Sequence, residues 1–265
     1  MRDALIDRIA GALTDQKVTV ERVGDTLNAK VGAGLTAHKA NLDLEPLLAR
    51  LADAPEGRHA RLIAGFVSGV KGVLMEPPRS KADHWSYSLS AGRMVPTLEV
   101  DTFTLGVRAA SGEDAWTMPF AGDLVIGCMV ELDRGRRALT RPQVERWGAT
   151  DDRVYSAARS MLFHRTRESY AKPQASEAGV RSLKVGDGYD AMRGFILTDL
   201  YYAELDEARF RFAAPHPDAI LYTDDADSYD ALAQATRDAH AAAEYPLSDL
   251  VYRLEGRAAV PVEGA

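Results

Sequence analysis

Apolar residues recur three and four positions apart over residues 2 to 15, where Leu5, Ile9 and Leu13 form a stripe between charged neighbours; this spacing predicts an amphipathic helix. The period then falls to two. KVTVERV and TLNAKV, joined at Gly24-Asp25, predict a hairpin, and KANLDL at 39–44 predicts a further strand before a helix entered at Glu45-Pro46, where proline suits the first turn. Helical spacing returns over 58–75 through Leu62, Ile63, Phe66, Val70, Val73 and Leu74, ending at Pro77-Pro78. Gly65, Gly69 and Gly72 line a second face of that helix. An interior glycine costs about 1 kcal/mol relative to alanine, so another part of the same chain is expected to pack closely there, in preference to a helix-dimer seam.

The tract PPRSKADHWSYSLSAG has neither period and predicts a boundary. Beyond it, MVPTLEV, FTLGVRA, AWTMPF, DLVIGCMVEL and RRALT read as strands, with Asp133-Arg134-Gly135 as a turn. Arg141-Pro142 opens a short helix ending at Trp147-Gly148, and Thr150 is placed to cap the next one, which carries Val154, Ala158, Met161 and Leu162. After a loop at 169–180 come a helix from Ala191 to about Leu205, a hairpin from FRFAA to AILYT, an Ala-rich helix at 227–243, and the strand pair LVYRL and AAVPV. Hairpins alternating with helices, without a regular βαβ rhythm, predict an α+β fold with a mixed, mainly antiparallel sheet. The expected organisation is an N-terminal module at 1–78, a connecting loop at 79–92 and a sheet-rich module at 93–265, closely packed together.

Charge narrows the function classes. With 32 basic and 39 acidic side chains the net charge is -7, so the chain lacks the basic footprint that nucleic-acid binding needs. The Arg134, Arg136, Arg137, Arg141 and Arg146 group is interleaved with Glu131, Asp133 and Glu145, as on a solvated surface. The longest apolar stretch, 62–75, contains Lys71 and is shorter than a bilayer span, so no membrane partner is expected. The N-terminal segment has no unbroken apolar run, and one cysteine, Cys128, fits a reducing compartment, so the expected location is cytoplasmic. Cys128 lies in a strand-like apolar run and reads as a buried small hydrophobe.

Several chemistries can be weighed from spacing. Gly32-Ala33-Gly34 with Ala37 suggests a dinucleotide turn, but a hairpin strand precedes it and a strand follows it, so a plain glycine turn is expected. Asp224, Asp225 and Asp227 stand just before a helix and read as caps; the spacing lacks the glycine and terminal glutamate of a calcium loop. His38, His59, His84, His164, His216 and His240 are scattered without ligand spacing. No cofactor and no metal are therefore expected.

Three motifs resemble the YtpQ-like family of uncharacterised bacterial proteins: GDGYDAMRGFILTDL at 186–200, APHPDAILYTDD at 214–225 and YPLSDLVYRLEGR at 245–257. DTLNAKV, the NLDLEPLLA helix entry and the RRALTRPQVERWG joint extend the similarity over most of the chain, while the glycine stripe and VRAASGEDAWTMPF depart from it. The resemblance implies a cytoplasmic bacterial α+β protein and supplies no catalytic residues.

The candidate site is the polar set Asp187, Tyr189, Asp190, Arg193, His216 and Asp218. Gly186 and Gly188 suit a turn with positive φ, Asp187 or Asp190 can cap the helix that follows, and Arg193 lies one turn on. The favoured reading is a structural bridge from Arg193 to Asp218 or Asp187; the other is an anion pocket at the helix N-terminus with Arg193 supplying charge. The expected function is accordingly a non-catalytic binding or regulatory protein, for a small anionic ligand or a protein partner. The alternative is a hydrolase or transferase acting on a small anionic substrate, with Asp190 or His216 as the acid-base group. Homo-oligomerisation is left open.

Overall fold

The computed structural model describes residues 2–32, 38–74, 86–132, 135–197, 205–206, 208–255 and 258–262. It is an α+β protein whose paired strands are antiparallel wherever their register is defined. The chain divides into two compact units that are discontinuous in sequence. Unit 1 is Met1–Met94, Glu99–Met118 and Gly127–Val154; unit 2 is Val95–Leu98, Pro119–Ile126 and Tyr155–Ala265. The hydropathy pattern instead suggests one boundary at 79–92, part of which lies outside the described residues.

Unit 1 opens with α1 (Arg2–Asp15), whose buried stripe is Ile6, Ile9 and Leu13. β1 (Thr19–Val23) and β2 (Thr26–Val31) form the expected hairpin, and β3 (His38–Leu42) pairs with the other side of β2. Gly24, with φ of 62°, takes the left-handed position in the two-residue turn. α2 (Glu45–Ala52) starts with proline in its first turn, and α3 (His59–Leu74) is the glycine-rich helix. A short helix, α4 (Tyr87–Ala91), precedes β4 (Met94–Val100). Of the glycine turn at 32–37 only Gly32 is described, and Pro77-Pro78, Asp133 and Arg134 also fall outside the described residues.

The segment FTLGVRA, expected as a strand, is helical: α5 runs Thr102–Ser111 and ends on Gly112 in the left-handed conformation. Its Val, Phe and Thr content favours strands, but tertiary packing overrides that preference. Phe103, Gly106 and Val107 are buried on one face, and that face meets α3. A Cβ on Gly69 would fall against the Phe103 carbonyl oxygen and 2.8 Å from the Val107 nitrogen; one on Gly106 would meet the Phe66 carbonyl. The two backbones approach too closely for any side chain at these positions. Gly72 faces Ala138 and Met129 in the same unit. The glycine stripe is thus filled by the chain's own helix and strand.

β5 (Thr117–Pro119), β6 (Leu124–Leu132) and β7 (Gly135–Ala138) follow. β4, β6 and β5 form one sheet in that order, with β7 paired to β6. Cys128 on β6 is 1% exposed, its thiol directed at the Met129 carbonyl oxygen at 3.7 Å. Its thiol should therefore resist a maleimide reagent in native buffer and react after denaturation. Fast stoichiometric labelling of the folded protein would contradict that placement. α6 (Arg141–Arg146) and α7 (Asp151–Glu168) come next, and the Thr150 hydroxyl accepts from the Arg153 amide at 3.3 Å, as a cap should.

Unit 2 is built on a six-stranded sheet in the order β13-β12-β10-β11-β9-β8. Its strands are β8 (Gln174–Ala175), β9 (Arg181–Ser182), β10 (Arg211–Ala213), β11 (Leu221–Thr223), β12 (Val251–Glu255) and β13 (Ala258–Pro261). α8 (Tyr229–Ala242) packs on one face, where Leu232 and Ala233 meet Ala213, Val251 and Val180. The alternate residues Phe212, Tyr222 and Tyr252 point the other way, into an aromatic cluster with Phe120, Phe195 and Phe210. The helix expected from Ala191 to about Leu205 is a 3-10 turn over Asp190–Phe195, all six residues buried; 198–204 lie outside the described residues.

Candidate functional site

The segment preceding that 3-10 turn carries Gly186 and Gly188 at φ of 78° and 82°, the left-handed backbone that glycine tolerates. Two reversals in three residues direct Asp187 back over the chain, where its Oδ1 accepts the Tyr189 amide at 3.2 Å. Asp190 accepts the Val185 amide on one oxygen and the Gly186 amide on the other, both at 3.1 Å. The loop is therefore closed by its own carboxylates.

Arg193, wholly buried, sits inside this loop. Its Nη1 donates to Asp187 Oδ1 at 3.0 Å and to Asp190 Oδ1 at 2.6 Å, its Nη2 to Asp187 Oδ2 at 2.9 Å, and its Nε to Thr166 Oγ1 of α7 at 3.1 Å. The grip on Asp187 is bidentate, the strong form of such a pair. Thr166 passes its own proton to the Leu162 carbonyl at 2.7 Å, so it faces Arg193 purely as an acceptor. Four of the five guanidinium N–H bonds are thereby spent inside the fold. Tyr189 is buried beside this group, with the Arg165 guanidinium 6.0 Å from its ring centre. Gly194 lacks a Cβ where one would stand 2.6 Å from Cε2 of Phe212, which lets the turn lie against β10.

The two carboxyls respond in opposite directions. Burial pushes Asp187 up, but hydrogen bonding and charge from Arg193, with the Tyr189 amide, hold it below its ordinary value. For Asp190 burial wins: its carboxyl is raised despite the Val185 and Gly186 amides and Arg193, and the neighbouring Asp187 charge adds to the rise.

Arg193 finds its partners on Asp187 and Asp190, and Asp218 stands exposed elsewhere on the turn between β10 and β11. His216 in the same turn is half-buried. Backbone hydrogen bonds tie this turn to the rest. The Ala191 amide donates to the Pro217 carbonyl at 3.0 Å, and the Leu247 amide donates to the Pro215 carbonyl at 2.8 Å. Three segments distant in sequence, 186–193, 214–219 and 245–250, thus meet at one turn that presents His216 and Asp218.

The acidic tract at 224–227 is occupied by local structure. Asp224 pairs with Arg181 and accepts the Asp206 amide at 3.0 Å. Asp225 accepts the Asp227 amide at 3.2 Å and the Ser228 hydroxyl at 2.9 Å, capping the short 3-10 turn that leads into α8. Among the described residues no three His, Cys, Asp or Glu side chains are grouped to hold a metal ion, and no helix is long and apolar enough to cross a membrane.

A second polar knot, unmarked by any sequence motif, lies in unit 1. The buried Trp116 donates to Asp151 at 2.7 Å, and Arg141 bonds the same carboxylate oxygen at 2.6 Å and the Thr117 carbonyl at 2.6 Å. The hydrogen bond from Arg141 holds the Asp151 carboxyl below its ordinary value, burial opposing and the Trp116 bond adding. Asp151 also opens α7, where a negative charge complements the helix dipole.

The chain is thus an α+β protein with a buried arginine-carboxylate clamp behind an exposed polar turn. No family model matches it, and no curated protein or solved structure does either.

Proposed function

We propose that this chain is a cytoplasmic, non-catalytic binding or regulatory protein of the YtpQ-like family, and that it takes a small ligand or protein partner at the turn bearing His216 and Asp218. One observation supports the reading above others: the three motifs that carry the resemblance converge there through the Ala191–Pro217 and Leu247–Pro215 backbone bonds. The division of labour also suits a binding site. Arg193, Asp187 and Asp190 are consumed in holding the frame, and His216 and Asp218 are left accessible in front of it. An anion seated on Arg193 would have to displace a bidentate carboxylate and enter a closed interior. Asp190, its side chain fully buried within the clamp, is poorly placed to meet a substrate.

A thermal-shift screen of nucleotides, phosphorylated metabolites and divalent cations tests this. A ligand that binds only the folded state at a hundred times its Kd stabilises it by about 2.7 kcal/mol. At least one compound is expected to raise Tm, and His216→Ala and Asp218→Ala are expected to remove that rise while leaving the ligand-free Tm nearly unchanged. A rise that survives both substitutions, or turnover of the compound, would contradict the reading.

A further inference from the structure

The Arg193 clamp contains two carboxylates and one guanidinium. Asp190 and Arg193 are each fully buried, and Asp187 is 23% exposed in its side chain. With both carboxylates ionised, the cluster carries one uncompensated negative charge in a low-dielectric setting, where an unpaired charge is costly. Among the described residues, the remaining hydrogen-bond partners at the cluster are neutral: the Thr166 hydroxyl and the amides of Val185, Gly186 and Tyr189. Among the described residues, charged groups on the adjoining elements make contacts outside the cluster. On α7, Arg165 lies over the Tyr189 ring and Arg159 donates to the Phe195 carbonyl at 3.0 Å. On β10, Arg211 donates to the Phe210 carbonyl at 2.8 Å. Lys184 and Asp218 are exposed, and His216 is half-buried on the turn.

We propose that Asp187 and Asp190 compete for the single guanidinium of Arg193, so that the cluster takes up a proton on Asp190 and links the fold behind the 214–219 turn to pH. Asp187 has the better claim, because it holds two parallel N–H bonds and keeps some contact with water. Asp190 shares Nη1 and has no solvent of its own, so it is the carboxyl that relieves the excess charge by protonation. Ala191, the next residue, holds the Pro217 carbonyl, which puts this proton directly behind the exposed turn. This competition lies within the cluster alone and does not depend on a ligand at the turn.

The linkage has a definite sign. A carboxyl whose folded value is raised contributes stability that is present below its unfolded value and is lost as pH rises through the folded one. Asp190 therefore favours the folded state toward acid, in the window above the ordinary carboxylate range. Asp187, lowered, contributes stability that is lost only as pH falls below that range.

Carbon-detected NMR titration of the Asp190 carboxyl, in the wild-type chain and in Asp187→Asn, decides the matter. In the wild type Asp190 should titrate above the ordinary aspartate value, and the Val185 and Gly186 amide protons should move downfield with the same midpoint as pH rises. In Asp187→Asn the whole guanidinium charge belongs to Asp190, and its proton affinity should fall about tenfold. A wild-type Asp190 that titrates at or below the ordinary value would overturn the proposal, as would a midpoint indifferent to Asp187→Asn. Should Asp187→Asn fail to fold, the wild-type titration decides by itself.

Discussion

Arg193→Met is expected to lower unfolding stability at neutral pH by roughly 3 to 5 kcal/mol, the cost of stranding buried charge by removing its partner. The substitution leaves two carboxylates facing each other, one of them without any solvent. Arg193→Lys should recover little. An ammonium is a point charge with three donors, whereas the site asks for a planar fork that grips Asp187 on both oxygens while reaching Asp190 and Thr166. The loss in Arg193→Met should shrink as pH is lowered toward the carboxylate range, since the stranded groups then neutralise themselves. Denaturant midpoints at two pH values check both statements. A loss below about 1 kcal/mol at neutral pH would mean that the guanidinium is not buried as described.

The second large effect is expected at the α3–α5 crossing. Gly69→Ala and Gly106→Ala should each cost about 3 kcal/mol or more, because the added methyl meets backbone atoms of the facing helix, which cannot turn aside as a side chain can. Gly11→Ala is the matched control: it lies within α1 with nothing within 4 Å of an added Cβ. There the ordinary helix preference should stabilise the protein, by up to about 1 kcal/mol. The same chemical change thus has opposite signs at two kinds of helical glycine. Equal, small effects at Gly11, Gly69 and Gly106 would remove the close crossing from the account.

The glycine stripe shows what the chain reveals of itself. Its cost inside a helix implied a close neighbour, and the helix ends and hairpins followed from equally local signals: Gly24-Asp25 in a tight turn, proline in the first turn of α2, and Thr150 before α7. What filled the stripe was hidden, since α5 is written in β-branched and aromatic residues and its helix is imposed by Gly65, Gly69 and Gly106. Gly112, in the left-handed conformation, closes it. The site divides in the same way. Asp187, Asp190 and Arg193 lie within seven consecutive residues, so their grouping could be read from spacing, whereas Thr166 is 27 residues upstream of Arg193 and left no trace there. Asp218 looked like a partner because polar residues near a turn invite pairing; the chain instead joins its distant motifs through backbone amides of Ala191 and Leu247, which carry no side-chain signature.

Double-mutant cycles in denaturant measure directly which carboxylates Arg193 holds. Stability is determined for Arg193→Ala, Asp187→Ala, Asp218→Ala and the two doubles that pair Arg193 with each aspartate. A coupling energy above about 1 kcal/mol between Arg193 and Asp187, with Arg193 and Asp218 additive to within about 0.5 kcal/mol, is the predicted result. Coupling to Asp218 with none to Asp187 would contradict it and would move Arg193 out of the frame and into the turn.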